Sequence, residues 1–146
     1  MRIVIGSDHA GFEVKQRLAH YLAEKGHEVT DVGTANAEDS VDYPDFALVA
    51  GRAVASGEAD FGVLVCGTGI GMAMAANKVA GVRAANVTDP QFAKLAREHN
   101  DANVVTLSAR FVSVRTNEEI LDAFLGTQFG GARHAGRVAK ISAAEG

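Results

Sequence analysis

The sequence predicts an α/β protein with a three-layer Rossmann-like fold, a five-stranded parallel sheet flanked by helices. Two observations carry that expectation. Apolar runs rich in Val and Ile recur at five places without the in-and-out polar alternation of a half-wet sheet, as strands buried on both faces do. Between them lie segments with apolar residues at helical spacing, so strand and helix alternate, which is how parallel strands are connected.

The elements follow in order. Ile3 to Ile5 is the first strand and runs into Gly6-Ser7-Asp8-His9-Ala10-Gly11; Val14, Leu18, Tyr21 and Leu22 mark the helix behind it. Val29 to Val32 is the second strand, followed by a helix carrying Phe46, Ala50, Ala53 and Val54. Val63 to Cys66 is the third and opens into Gly67-Thr68-Gly69-Ile70-Gly71. Val82 to Val87 is the fourth, with Phe92, Leu95, Ala96 and His99 on the next helical stripe. Val104 to Leu107 is the fifth, followed by Ser108-Ala109-Arg110 and a helix with Ile120, Leu121, Phe124 and Leu125. Beyond Gly130-Gly131 a short segment to Lys140 carries Arg133 and Arg137 and no acid. No repeat, low-complexity run or linker interrupts the chain, so residues 1–146 read as one domain with a short basic C-terminal segment from about 130 to 146.

Composition narrows the function. With 47 % apolar and 22 % charged residues the chain is globular, and its formal charge of -4 argues against a nucleic-acid-binding face, which needs a broad basic surface. Any anion site is therefore local. The single cysteine, Cys66, allows no intrachain disulfide, and no signal-peptide pattern opens the chain, so a cytoplasmic protein is expected. No apolar stretch approaches the roughly 18 residues of a membrane span.

Ligands of open parallel sheets bind beyond the carboxyl ends of the strands, where this chain places its polar and glycine-rich turns. In Gly67 to Gly71 the third glycine of a dinucleotide fingerprint is replaced by Met72, although Asp89 lies at a suitable distance for a ribose-binding acid. A P-loop is excluded, because neither turn contains its Gly-Lys-Ser/Thr step. What remains is either an oxyanion- or anion-binding loop at a helix N-terminus or a tight turn. Cys66 reads either as an inert buried thiol or as a base activated at that helix end. His99 and Asn100 read either as site residues or as a helix terminus, with Asn100 left-handed; Asp8-His9 reads equally as a cap with a surface histidine. Arg133 and Arg137, four residues apart, share a helix face suited to gripping a phosphate, or form a solvated tail.

Taken together, Gly6-x-Asp8-His9-x-Gly11, Asp42-Tyr43-Pro44, Cys66-Gly67-Thr68-Gly69-x-Gly71, Ala75-Ala76-Asn77-Lys78, His99-Asn100 and Arg133-His134-x-x-Arg137 resemble one family over nearly the whole chain. It is the family of type B ribose-5-phosphate isomerases and galactose-6-phosphate isomerase subunits. The resemblance implies a metal-independent aldose-ketose isomerase of the pentose phosphate pathway, with no cofactor. It also implies a homodimer or homotetramer whose sites are shared between subunits. By the same resemblance Cys66 is the base that moves a proton between C2 and C1 through a cis-enediolate. Thr68 assists at the oxygens, and the N–H groups of Gly67, Gly69, Ile70 and Gly71 stabilise the charge. Asp8, Tyr43 and Asn100 contact sugar hydroxyls; His9, Arg110, Arg133 and Arg137 contact substrate and phosphate. His99 opens the furanose ring, with His134 the other candidate. A family branch that lacks the cysteine uses a glutamate where Met72 stands here. Two other readings stay open: a six-carbon sugar-phosphate isomerase, and a non-catalytic nucleotide-binding module. A redox role for Cys66 lacks a partner cysteine.

Overall fold

The structure, a computed structural model, describes residues 1–146. Five strands, β1 (Arg2–Ser7), β2 (Glu28–Asp31), β3 (Phe61–Cys66), β4 (Ala84–Asn86) and β5 (Val104–Ser108), alternate with α1 (Phe12–Glu24), α2 (Tyr43–Ala55), α3 (Ile70–Ala76), α4 (Pro90–Asn100) and α5 (Val114–Leu125), and α6 (Arg133–Ala143) closes the chain. The sheet is wholly parallel in the order β2-β1-β3-β5-β4. All carboxyl ends therefore meet along one edge, as the alternating pattern predicts.

The central strands are buried on both faces because successive side chains feed two cores. Ile3, Ile5, Val63, Val65, Val105 and Leu107 point toward α1, α4 and α5, while Val4, Leu64 and Val104 point toward α2 and α3. Each such side chain contributes roughly 2 kcal/mol by leaving water. The edge strands differ. β2 exposes three of its four residues, and β4 is three residues long rather than the Val82 to Val87 run expected. Two features mark its amino end. Val82 is spent on the core beneath α2 and α3, and the open side of Ala84 is clasped by Asn77, whose amide donates to Ala84 O at 3.0 Å and accepts from Ala84 N at 2.8 Å. A side chain takes the place of a neighbouring strand there.

α4 enters at the carboxyl edge and runs antiparallel to the strands. Its N-cap, Asp89, accepts from the N–H groups of Gln91 and Phe92, and its eleven residues end at Asn100, just before the amino end of β5. α6 packs against α4 and buries none of its residues within the chain. No helix is long and apolar enough to cross a membrane.

Candidate active site

The carboxyl edge gathers the first group of side chains. Cys66, the last residue of β3, is 6 % exposed, and its sulfur accepts the Gly69 N–H at 3.1 Å. The loop curls over the sulfur because Gly69 adopts φ +83, and a Cβ at that residue would lie 2.6 Å from Asn86 Oδ1 and 3.0 Å from the Leu107 backbone. Only glycine fits on both counts. Thr68 Oγ1 accepts the Ile70 N–H at 3.1 Å, which ties the loop to the first turn of α3.

Two neighbouring segments close on this loop, and the β1–α1 turn packs beside Val65 just before it. The Tyr43 ring lies so near Gly71 that a Cβ there would meet it at 2.5 Å, and the Arg110 guanidinium would stand 3.2 Å from a Cβ on Gly67. Ser108 Oγ donates to Gly67 O at 2.7 Å and accepts from Phe111 N at 3.0 Å, fixing the turn that carries Arg110. Asp8 is 8 % exposed and accepts the Gly11 N–H at 3.0 Å, so it shapes the β1–α1 turn. His9 is no free surface histidine: its Nδ1 accepts from Val41 N at 3.1 Å, which leaves the proton on Nε2 and holds the segment leading to Tyr43.

The remaining predicted residues lie elsewhere. His99, Asn100, Arg133, His134 and Arg137 line a cavity of about 450 Å³ that has no apolar wall. The two imidazoles stack with centroids 4.3 Å apart and planes at 18°. Partial burial, then His99, Arg133 and Arg137, push the His134 pKa below its usual value, since each disfavours an added positive charge. This cavity sits at the far end of α4, so roughly 16 Å of helix separates it from the edge that holds Cys66. Within one chain the two groups do not meet. The left-handed residue ending α4 is Asp101, at φ +48, whereas Asn100 is helical and exposed. Asp89, at a suitable distance for a ribose-binding acid in the nucleotide-module reading, serves as the N-cap of α4, its Oδ1 accepting two backbone N–H groups.

Residue patterns missed Asn86 and Arg97. Asn86, at the end of β4, touches the Gly69 turn, and a polar residue inside the Val82 to Val87 run was the available signal. Arg97 falls on the same buried face as Ala93 and Ala96, where a charged residue calls for partners. No group of three or more His, Cys, Asp or Glu side chains is arranged to hold a metal ion.

Comparison with known proteins decides the family. The model of the Ribose/Galactose Isomerase family matches residues 3–141. The chain belongs to that family. Ribose-5-phosphate isomerase B of Escherichia coli strain K12 is 46 % identical over 144 residues, covering 99 % of this chain and 96 % of that protein. Among family structures, that of Clostridium thermocellum ribose-5-phosphate isomerase B superimposes with a TM-score of 0.97 at 50 % identity, covering 99 % of this chain and 97 % of the other. The Mycoplasma genitalium enzyme, solved with bound ribulose-5-phosphate, gives 0.95 at 44 % identity, over 99 % and 95 % of the two chains.

Proposed function

We propose that the chain is an aldose-ketose isomerase that interconverts D-ribose 5-phosphate and D-ribulose 5-phosphate through a cis-enediolate. The observation that carries the reading is the Cys66 sulfur beneath a loop of backbone N–H donors, in a member of this family. Proton transfer beside a carbonyl needs a base within reach and donors aimed at the developing oxyanion. Cys66 serves as the base. As thiolate it takes the proton from C2 of the open-chain aldose, becomes the thiol, and returns that proton to C1. The electron pair left by the C2 proton forms the enediolate, whose charge falls on oxygen atoms facing the amides of Gly67 to Gly71. Thr68 relays the hydroxyl proton between O1 and O2.

Ring opening and phosphate binding fall to the second group. His99 moves the proton that opens the furanose, Asn100 holds a hydroxyl, and Arg133 and Arg137 grip the phosphate with His9 and Arg110 as further contacts; Asp8 and Tyr43 complete the sugar site. Because the two groups occupy opposite ends of α4 in one chain, each complete site pairs the Cys66 edge of one subunit with the His99 cavity of another. A homodimer is the smallest such assembly. Exposed Ile70 and Met74 on one face of α3, Phe92 on α4 and Ile141 on α6 supply apolar surface for it. This chemistry needs neither a metal nor a nucleotide and suits a cytoplasmic enzyme.

A spectroscopic assay of ketose formation across five- and six-carbon aldose phosphates tests the reading. Turnover should favour ribose 5-phosphate. A preference for allose or galactose 6-phosphate would move the substrate to six carbons, which the family also covers in name. Adenine-nucleotide binding with no isomerisation would make the chain a nucleotide module instead.

A further inference from the structure

The one charged side chain buried on α4 is Arg97, 7 % exposed, and its partners lie in the chain segments that adjoin the two walls of the polar cavity. Nη1 donates to Asp101 Oδ1 at 2.9 Å and to Ala102 O at 2.7 Å, which clamps the turn directly after His99 and Asn100. Nε donates to Thr127 O at 3.2 Å, at the root of the segment that launches α6 with Arg133, His134 and Arg137. The guanidinium also lies over the rings of Phe61 and Phe124, 4.9 and 5.8 Å from their centroids, so its plane is fixed by the core.

Asp101 is held from a second side. Arg83 donates through Nε to Asp101 O at 2.8 Å and through Nη2 to Asp101 Oδ2 at 3.3 Å, which anchors a residue whose φ of +48 is unfavourable for an L side chain. The other wall carries one further tether, Gly130 N to Glu98 O at 2.9 Å. Without the guanidinium that backbone bond and the His99–His134 stack would link α6 to the end of α4.

We propose that Arg97 is a positioning residue: acting through Asp101 and Thr127, it sets the distance between the His99–Asn100 wall and the Arg133–Arg137 wall. The catalytic consequence rests on the isomerase reading above. Lysine at position 97 would keep one charge for Asp101 but lacks the planar fork that reaches Ala102 and Thr127 together.

The test is Arg97→Lys in the full-length protein, with circular dichroism and thermal unfolding to establish that it is folded at the assay temperature. Its kcat/KM for ribose 5-phosphate should fall by about ten- to a hundredfold, the scale of an ångström-sized misplacement, through a higher KM as well as a lower kcat. The imidazole NMR signals of His99 and His134 should separate from their stacked positions, and the His134 titration midpoint should rise toward the ordinary histidine value as its ring leaves His99 and opens to water, Arg133 and Arg137 staying beside it on α6. A folded variant with wild-type kcat/KM and unmoved imidazole signals would overturn the proposal, because a residue that merely stabilises the fold would lower the melting temperature alone. If Arg97→Lys does not fold, Asp101→Asn, which tolerates the left-handed backbone, weakens the same clamp from its other end and is read by the same two measurements. Should the wild-type protein fail to isomerise ribose 5-phosphate, the functional reading falls, and the imidazole signals still decide the placement of the walls.

Discussion

Cys66→Ala replaces the proposed base by a methyl group and leaves every phosphate and hydroxyl contact in place. Turnover should fall by on the order of 10²–10⁴, while titration calorimetry still detects binding of ribulose 5-phosphate; near-full turnover would remove Cys66 from the chemistry. His134 offers a test of the cavity's electrostatics. Its pKa is lowered by partial burial and by His99, Arg133 and Arg137, so removing a cation must raise it: NMR titration of Arg137→Ala should show the His134 midpoint moving up. The sign extends to stability. A histidine whose folded pKa is depressed favours the fold above the unfolded value near 6.5, and that contribution is lost as the pH falls. The Cys66 loop was legible in the sequence because its parts are adjacent and its glycines answer a local backbone demand. The His99–His134 stack was not, since it arises from α6 folding back on α4 across more than thirty residues.

α4 carries the placement of both groups, beginning beside one and ending in the other. Its start depends on Asp89, which accepts two backbone N–H groups; Asp89→Ala should cost about 1 kcal/mol in chemical denaturation. Because the same carboxylate is already engaged, adenine nucleotides should not raise the melting temperature of the wild-type protein, and a clear rise would restore a nucleotide site. The helical stripe Phe92, Leu95, Ala96 and His99 showed where α4 lies, yet it hid Arg97, since periodicity marks a face and not what a charged residue on that face will find. The fourth strand was overextended for a related reason. Val82 and Val87 are apolar because two different cores need them, whereas pairing with β5 is confined to Ala84–Asn86.

At the scale of the molecule the parallel sheet was readable from alternation alone, and its order β2-β1-β3-β5-β4 puts Asp8, Cys66 and Arg110 at the ends of three consecutive neighbours, β1, β3 and β5. The separation of Cys66 from His99 was not readable from spacing, because it follows from α4 running back across the sheet. That separation makes the central claim testable: a complete site takes one group from each of two subunits. His99→Asn should slow turnover of ribose 5-phosphate strongly while leaving exchange of the C1 proton of ribulose 5-phosphate with solvent, which needs only the Cys66 group. The most direct measurement joins the two lesions. Cys66→Ala and His99→Asn chains, each inactive toward ribose 5-phosphate and carrying different affinity tags, are co-expressed and the hybrid is isolated through both tags. Each hybrid pair then contains one site with both lesions and one with neither, so activity should return to about half that of the wild type, as two-fold symmetry requires. A hybrid confirmed to hold both chains yet as inactive as its parents would contradict the shared site.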